Sequence, residues 1–145
     1  MPLEGDYEPS PWDMIADHVE RYEASGGGPG TELEGAPCII LTTKGAKSAK
    51  VRKTPLMRVT DGENYAVVAS MGGAPNHPVW YFNLVADRHV MLQDGPVRRD
   101  YVVHQAEGAE KSEWWARAVA VWPSYDEYQA ATDRVIPLFV LVPQD

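Results

Sequence analysis

Between Thr42 and Arg58 the chain reads Thr-Thr-Lys-Gly-Ala-Lys-Ser-Ala-Lys-Val-Arg-Lys-Thr-Pro-Leu-Met-Arg, and six of its thirteen Lys and Arg residues lie between Lys44 and Arg58. No Asp or Glu interrupts the stretch from Gly35 to Thr60, although the formal net charge is −8. Cations gathered on an acidic protein suit a small polyanion, because a long one needs basic surface spread over the molecule. Lys47, Lys50 and Arg52 could converge on phosphate or carboxylate oxygens, with the Ser48 hydroxyl beside them. Arg52 would act as a planar fork and the lysines as movable point charges. A solvated hairpin tip is the plainer alternative. The Gly-Lys-Ser/Thr order of a Walker A loop is absent.

Two further groups could do chemistry. In Ala69-Ser70-Met71-Gly72-Gly73-Ala74 a strand ending in serine is followed by two glycines. Backbone there can approach a flat ligand and offer N–H groups to ring carbonyls; a plain turn is the alternative. In Trp122-Pro123-Ser124-Tyr125-Asp126-Glu127-Tyr128 the two tyrosines are three apart and so share a helix face. They could line an apolar pocket and donate a hydrogen bond or proton to a reducible oxygen, or serve as ordinary core aromatics. His18, His77, His89 and His104 and the carboxylates have no metal-ligand spacing, and no local Ser-His-Asp or Cys-His pattern occurs. Cys38, the single cysteine, sits in an apolar run and reads as a small buried hydrophobe. A binding surface without its own nucleophile is typical where a cofactor performs the reaction.

The elements that must position these groups follow from punctuation and periodicity. A first helix is expected over 11–24, capped by Ser10 with Pro11 at its first position, and ended by the glycine connector 25–30. Strands are expected at 37–43, 51–60 and 64–70, the last two joined at Asp61-Gly62. A short helix over 78–86 precedes a hairpin of 90–93 and 97–104 around Asp94-Gly95-Pro96. Helices over 109–121 and from Ser124, then a strand over 136–142, complete the chain. About six strands linked by tight turns imply an antiparallel α+β protein, most economically a small barrel with short flanking helices. Residues 1–145 read as one domain, with 1–31 its N-terminal helix and connector.

No apolar run approaches the roughly 20 residues of a membrane span. The acidic N-terminus lacks signal-peptide character, and one cysteine suits a reducing compartment, so a cytoplasmic protein is expected. Bulk acidity argues against nucleic acid as a partner. The acidic first helix argues that contact with the inner membrane face is peripheral at most.

Three blocks in this order resemble the deazaflavin-dependent nitroreductase and quinone reductase family. They are Leu41-Thr42-Thr43-Lys44-Gly45 through Arg52 to Pro55-Leu56, Ala69-Ser70 through Gly72-Gly73 to Pro78-Val79-Trp80-Tyr81-Phe82-Asn83-Leu84, and Pro123-Ser124-Tyr125 through Tyr128. The likeness extends from His18-Val19-Glu20 to Asp133-Arg134-Val135-Ile136-Pro137. It implies a split β-barrel binding coenzyme F420. Lys47, Ser48 and Arg52 match positions that hold the cofactor's phosphate and acidic tail, Pro55 and Leu56 the wall beside its ring, and Ser70, Gly72 and Gly73 the turn around that ring. Tyr125 and Tyr128 match aromatic positions on the substrate side. Ala46 and Ala49 stand where arginine and glycine are common, and Lys44 and Lys50 could replace the lost charge. Met71 stands where a basic residue is frequent and makes that wall, next to Ala69, more apolar; Trp122 replaces a common tyrosine.

The reaction so implied is hydride transfer from the reduced deazaflavin to a quinone, nitroaromatic or similar electron-poor acceptor. The chain would supply proximity and polarisation through Ser70 or Tyr125. The alternatives are an FMN-dependent oxidoreductase on the same barrel and a non-catalytic F420-binding carrier.

Overall fold

The computed structural model describes residues 7–8, 13–28, 31–32, 36–45, 50–70 and 77–144. Helix α1 (Asp13–Ser25) is followed by β1 (Cys38–Lys44), β2 (Val51–Met57), β3 (Val59–Thr60) and β4 (Tyr65–Val68). Then come α2 (Val79–Ala86), β5 (His89–Asp94), β6 (Val97–Gln105), α3 (Gly108–Val121), α4 (Ser124–Ala130) and β7 (Leu138–Pro143). The strands form one seven-stranded sheet in the order β2-β1-β5-β6-β7-β4-β3. Every adjacent pair is antiparallel.

The expected strand over 51–60 is two strands, which is why there are seven rather than six. Arg58 N–H still donates in register to Pro37 O at 3.1 Å, one step beyond the Cys38–Met57 pair, but Pro37 has no N–H to return, and Val59 pairs instead with Ala66 of β4. The consequence is architectural. β2 and β3 lie at opposite ends of the sheet yet are separated in the chain by Arg58 alone. A sheet whose two edges are one residue apart has to roll up, and the result is a curled half-barrel.

Alternation along the strands then sorts side chains onto two faces. Ile39, Leu41, Val67, Leu92, Val103 and Leu141 fill the interior with Trp80 and Leu84 of α2. On the outside, α1 packs Val19 and Tyr22 against Cys38 and Ile40. Elsewhere α3 and α4 cover Met57, Val59, Ala66, Val68 and Val140 with Trp114, Ala118 and Tyr125. Pro55, which has no N–H for the ladder, sits on edge strand β2 where that loss is tolerated.

Turn chemistry sets the remaining connections. Asp61 Oδ1 accepts the N–H groups of Glu63 (3.0 Å) and Asn64 (2.8 Å), closing the β3–β4 turn. α1 ends at Gly26 and Gly27, both at positive φ. A Cβ on Gly27 would lie 2.9 Å from Gly95 Cα, so α1 can dock on the β5–β6 turn only through a glycine. Tyr22 secures that dock: its hydroxyl donates to Cys38 O (2.9 Å) and accepts from Gly95 N–H (2.8 Å).

Asp94, at the end of β5, closes the seam. Its carboxylate accepts from Arg58 Nε at 3.0 and 2.9 Å and from the Tyr65 hydroxyl. Burial and the Asp94 charge push the Tyr65 phenol up to about 12, so it stays a donor. β5 and β4 are not neighbours in the sheet, and the contact therefore spans the roll. Asp94→Ala is expected to cost about 2 kcal/mol in urea denaturation. Tyr65→Phe, which leaves the Arg58 Nε–H on Asp94 intact, should cost less. An unchanged midpoint for Asp94→Ala would refute the seam.

Candidate functional site

The β1–β2 hairpin carries the described part of the cation run, and its register divides that run. Thr43 faces Arg52 and Lys44 faces Val51, so Lys44 and Arg52 lie on opposite faces of the ribbon. Arg52 shares the face of Thr43, whose Oγ1 accepts from Asn83 Nδ2 of α2 at 3.1 Å. Pro55 and Leu56 likewise alternate: Leu56 packs against the barrel interior, whereas Pro55 pairs with Ile40 on the face under α1. Gly45 N–H donates to Lys50 O at 2.7 Å and closes the hairpin's end. Lys47 and Ser48 lie outside the described residues, as do Met71, Gly72 and Gly73.

Several of these cations already hold carboxylates of the chain. Glu8 accepts from Arg52 Nη1 and lies 3.7 Å from Lys50 Nζ. Lys53 Nζ reaches Glu23 at 2.5 Å and stands 4.6 Å from the Tyr7 ring centroid. Arg58 belongs to the seam. An acidic oxygen resting on Arg52 beside Lys50 shows that this donor set fits a phosphate or carboxylate.

At the other end of the site, β4 runs into Ala69 and Ser70, both buried. Ala69 N–H continues the ladder to Pro137 O at 2.9 Å. The carbonyls of both residues turn to Arg134, at 2.9 Å from Nη1 for Ala69 and 2.6 Å from Nη2 for Ser70. Nη1 also lies 3.0 Å from Nδ1 of His77. The His77 ring stacks on Tyr81 of α2 with centroids 4.1 Å apart. Desolvation and the Arg134 charge hold the His77 imidazole below its usual range, so it is neutral.

The tyrosine pair sits as its spacing requires. Tyr125 and Tyr128 share one side of α4, their ring centroids 6.1 Å apart and edge to face. Tyr125 is buried under α3 against Trp115. Burial and Tyr128 raise its phenol well above the ordinary value, which makes it an O–H donor and never a base at neutral pH. Tyr128 is half-buried, and its oxygen accepts from Trp122 Nε1 at 3.1 Å, so its own hydrogen is left to donate elsewhere. α2 therefore lies between the cation end, through Asn83, and the serine end, through Tyr81, while α4 supplies the phenols.

The sequence pattern of the F420H(2)-dependent quinone reductase family matches residues 14–143. The chain belongs to that family. An F420H(2)-dependent quinone reductase of Mycobacterium tuberculosis is 35% identical over 130 residues, 86% of each chain. A solved F420-H2 dependent reductase (FDR-A) superposes with TM-score 0.69 at 49% identity, covering 72% of this chain and 93% of that one. A second solved structure, a domain-swapped dimer, gives TM-score 0.71 at 43% identity over 91% and 99% of the two chains. Membership makes the chain an oxidoreductase with coenzyme F420 as its cofactor, on a split-barrel fold.

Four residues of this region were not singled out as site residues in the sequence. Glu8, Asn83, His77 and Arg134 belong to no motif with a mechanism attached, and each has a partner far along the chain: Arg52 for Glu8, Thr43 for Asn83, and one another for His77 and Arg134. His18 and Cys38 make no catalytic pair. Cys38 Sγ is directed at Thr31 O (3.1 Å) and lies 3.7 Å from His18 Nε2. No cluster that could hold a metal occurs among the described residues. Of two hollows they line, one of about 340 Å³ lies between α3 and α4, beside Lys111 and Trp115. The other, of about 200 Å³, lies on the outer sheet face beside Tyr7 and Lys53. Neither is lined by Arg52 or Ser70.

Burial pushes the Cys38 thiol from 9.0 to about 11. A raised folded pKa means that the unfolded chain ionises first. Stability is therefore full below about pH 9 and is lost as pH rises through about 11. Denaturation of Cys38→Ala across that range should show a shallower loss than the wild type, and identical slopes would count against the assignment.

Proposed function

We propose that the chain transfers reducing equivalents from F420H2 to a quinone, with nitroaromatics as further acceptors at the same site. The observation that carries this reading is the Glu8 carboxylate seated on Arg52 beside Lys50. In the bound state Arg52 and Lys50, with Lys47 and the Ser48 hydroxyl, take the phosphate and acidic tail of the cofactor, and Glu8 gives way; Lys44, on the other face of the ribbon from Arg52, does not join them. Leu56, with Ala69, Ser70, Met71, Gly72 and Gly73, borders its ring, whereas Pro55, expected beside the ring, lies buried on the opposite face under α1. Tyr125 and Tyr128 border the acceptor. All 145 residues serve as one deazaflavin-binding domain.

When bound in its reduced form, F420 supplies a hydride. The work of the chain is positional and electrostatic. Ser70, at the end of β4, and Tyr128, whose oxygen already accepts from Trp122, are the hydroxyls available to polarise an acceptor oxygen. The buried Tyr125 remains protonated and lends an apolar wall that keeps water from the acceptor. Quinone becomes hydroquinone by gaining a hydride and a proton. Water can deliver the proton, so no covalent intermediate with the protein is needed.

Quinones of biological membranes are lipid-soluble, and α2 suits such an acceptor. It contains no charged residue and exposes Val79, Phe82 and Val85. No helix among the described residues is long and apolar enough to cross a membrane. A cytoplasmic protein in peripheral contact with the inner face fits both features.

The test is reoxidation of F420H2 by menadione, followed through the deazaflavin absorbance, together with a nitroaromatic panel. Lys47→Ala combined with Arg52→Ala should raise the F420 Kd at least about tenfold, since each charge-assisted contact is worth about 1.5–3 kcal/mol. The kcat at saturating cofactor should change by no more than about twofold. Glu8→Gln should tighten binding. A double variant that binds normally but turns over slowly would overturn the assignment.

A further inference from the structure

We infer that Arg134 is a positioning residue for hydride transfer, locking Ser70 and His77 to the helix that carries Tyr125 and Tyr128. The inference rests on the reading of Ser70 and α4 as the two sides of the reaction site. Ser70 and His77 meet on one guanidinium, through Nη2 to Ser70 O at 2.6 Å and Nη1 to His77 Nδ1 at 3.0 Å. Nη1 also takes Ala69 O at 2.9 Å.

The carbonyls of Ala69 and Ser70 lie beyond the last β4–β7 pair, Val68 with Leu138. Buried backbone acceptors need partners, and here a side chain takes over from the sheet. A guanidinium has donors only. His77 Nδ1 is therefore an acceptor, and the ring hydrogen sits on Nε2. One face of the imidazole rests on Tyr81, so the same guanidinium determines its tautomer while α2 determines its tilt.

Arg134 is itself held from α4. Gln129 Nε2 donates to Arg134 O at 2.8 Å, and Gln129 Oε1 accepts from Ile136 N–H at 2.9 Å. One amide, one residue beyond Tyr128, thus clamps the chain from the Arg134 carbonyl to the Ile136 N–H. The outcome is a rigid link of Gln129, Arg134, and Ser70 with His77. It fixes the distance between the serine that borders the ring and the phenols that border the acceptor. A lysine cannot reproduce it, because a point charge does not fork to two carbonyls.

Full-length Arg134→Ala, Arg134→Lys, His77→Asn and His77→Leu test the assignment. In both Arg134 variants kcat with menadione should fall about a hundredfold, the scale of an ångström-level misplacement. The F420 Kd, governed by the distant cations, should stay within about threefold. Added guanidinium should restore turnover in Arg134→Ala, and methylammonium should not. His77→Asn, which keeps an acceptor near Nδ1, should retain more activity than His77→Leu. Independently of turnover, ¹⁵N NMR of the cofactor-free wild type should show His77 as the Nε2–H tautomer, and Arg134→Ala should lose that preference. Arg134 variants with a lowered melting temperature but undiminished kcat well below it would make the residue purely structural and overturn the inference. A mixed tautomer in the wild type would do the same. A wild type that reduces no quinone would overturn the functional reading itself, and the assignment of Arg134 with it.

Discussion

The closure of the sheet is the constraint on which the other features depend. Its edge strands are successive segments of one chain with Arg58 between them, so the ribbon cannot lie flat. Asp94 joins Arg58 to Tyr65 across the roll, with one charge-assisted Nε–H shared between its two oxygens and a phenol that burial keeps protonated. Rolling creates the interior that α2 enters with Trp80 and Leu84. That entry in turn brings Asn83 to Thr43, on the ribbon face of Arg52, while Tyr81 of the same helix stacks on His77 four residues before it.

What began as an island of positive charge is, in three dimensions, several separate sites. Arg58 is spent on the seam and Lys53 on Glu23. Lys44 and Arg52 diverge across the ribbon, because neighbouring strand positions point to opposite faces. Arg52 and Lys50 remain together, with Glu8 between them. A carboxylate on a part-buried arginine beside an exposed lysine is a modest, exchangeable contact, and such a contact can yield to an anionic ligand.

The two halves of the proposed site differ in how they are held. The cation end is gripped by side-chain charges near the surface and tolerates movement. The serine end is held by buried backbone carbonyls on a guanidinium, which is itself clamped through its backbone by Gln129. Binding an anionic tail calls for charge, whereas transferring a hydride calls for fixed distances, and the construction of each end matches its task. Of the further residues of the serine end, Arg134 lies within the Asp133–Pro137 likeness without a role attached to it and His77 lies in no motif, for their chemistry is only that of a fork and an acceptor placed in reach of each other.

Much was legible in the linear chain. Periodicity and turn residues located every helix among the described residues and all their strands but one, and the order of three blocks indicated the family and its cofactor. The spacing of Tyr125 and Tyr128 placed them on one helix face, because a helix repeats locally. The split at Arg58 was hidden, since the extended residues on either side of it look like one strand until β1 runs out at Pro37, which has no N–H to pair, and Val59 turns to Ala66 of β4. Only the tertiary structure decided which cations face the same way, that Glu8 rests on Arg52, and that Arg134 joins Ser70 to His77. Those contacts span 44, 64 and 57 positions of sequence. Propensity acts over a few residues, whereas register and closure decide what meets at such separations.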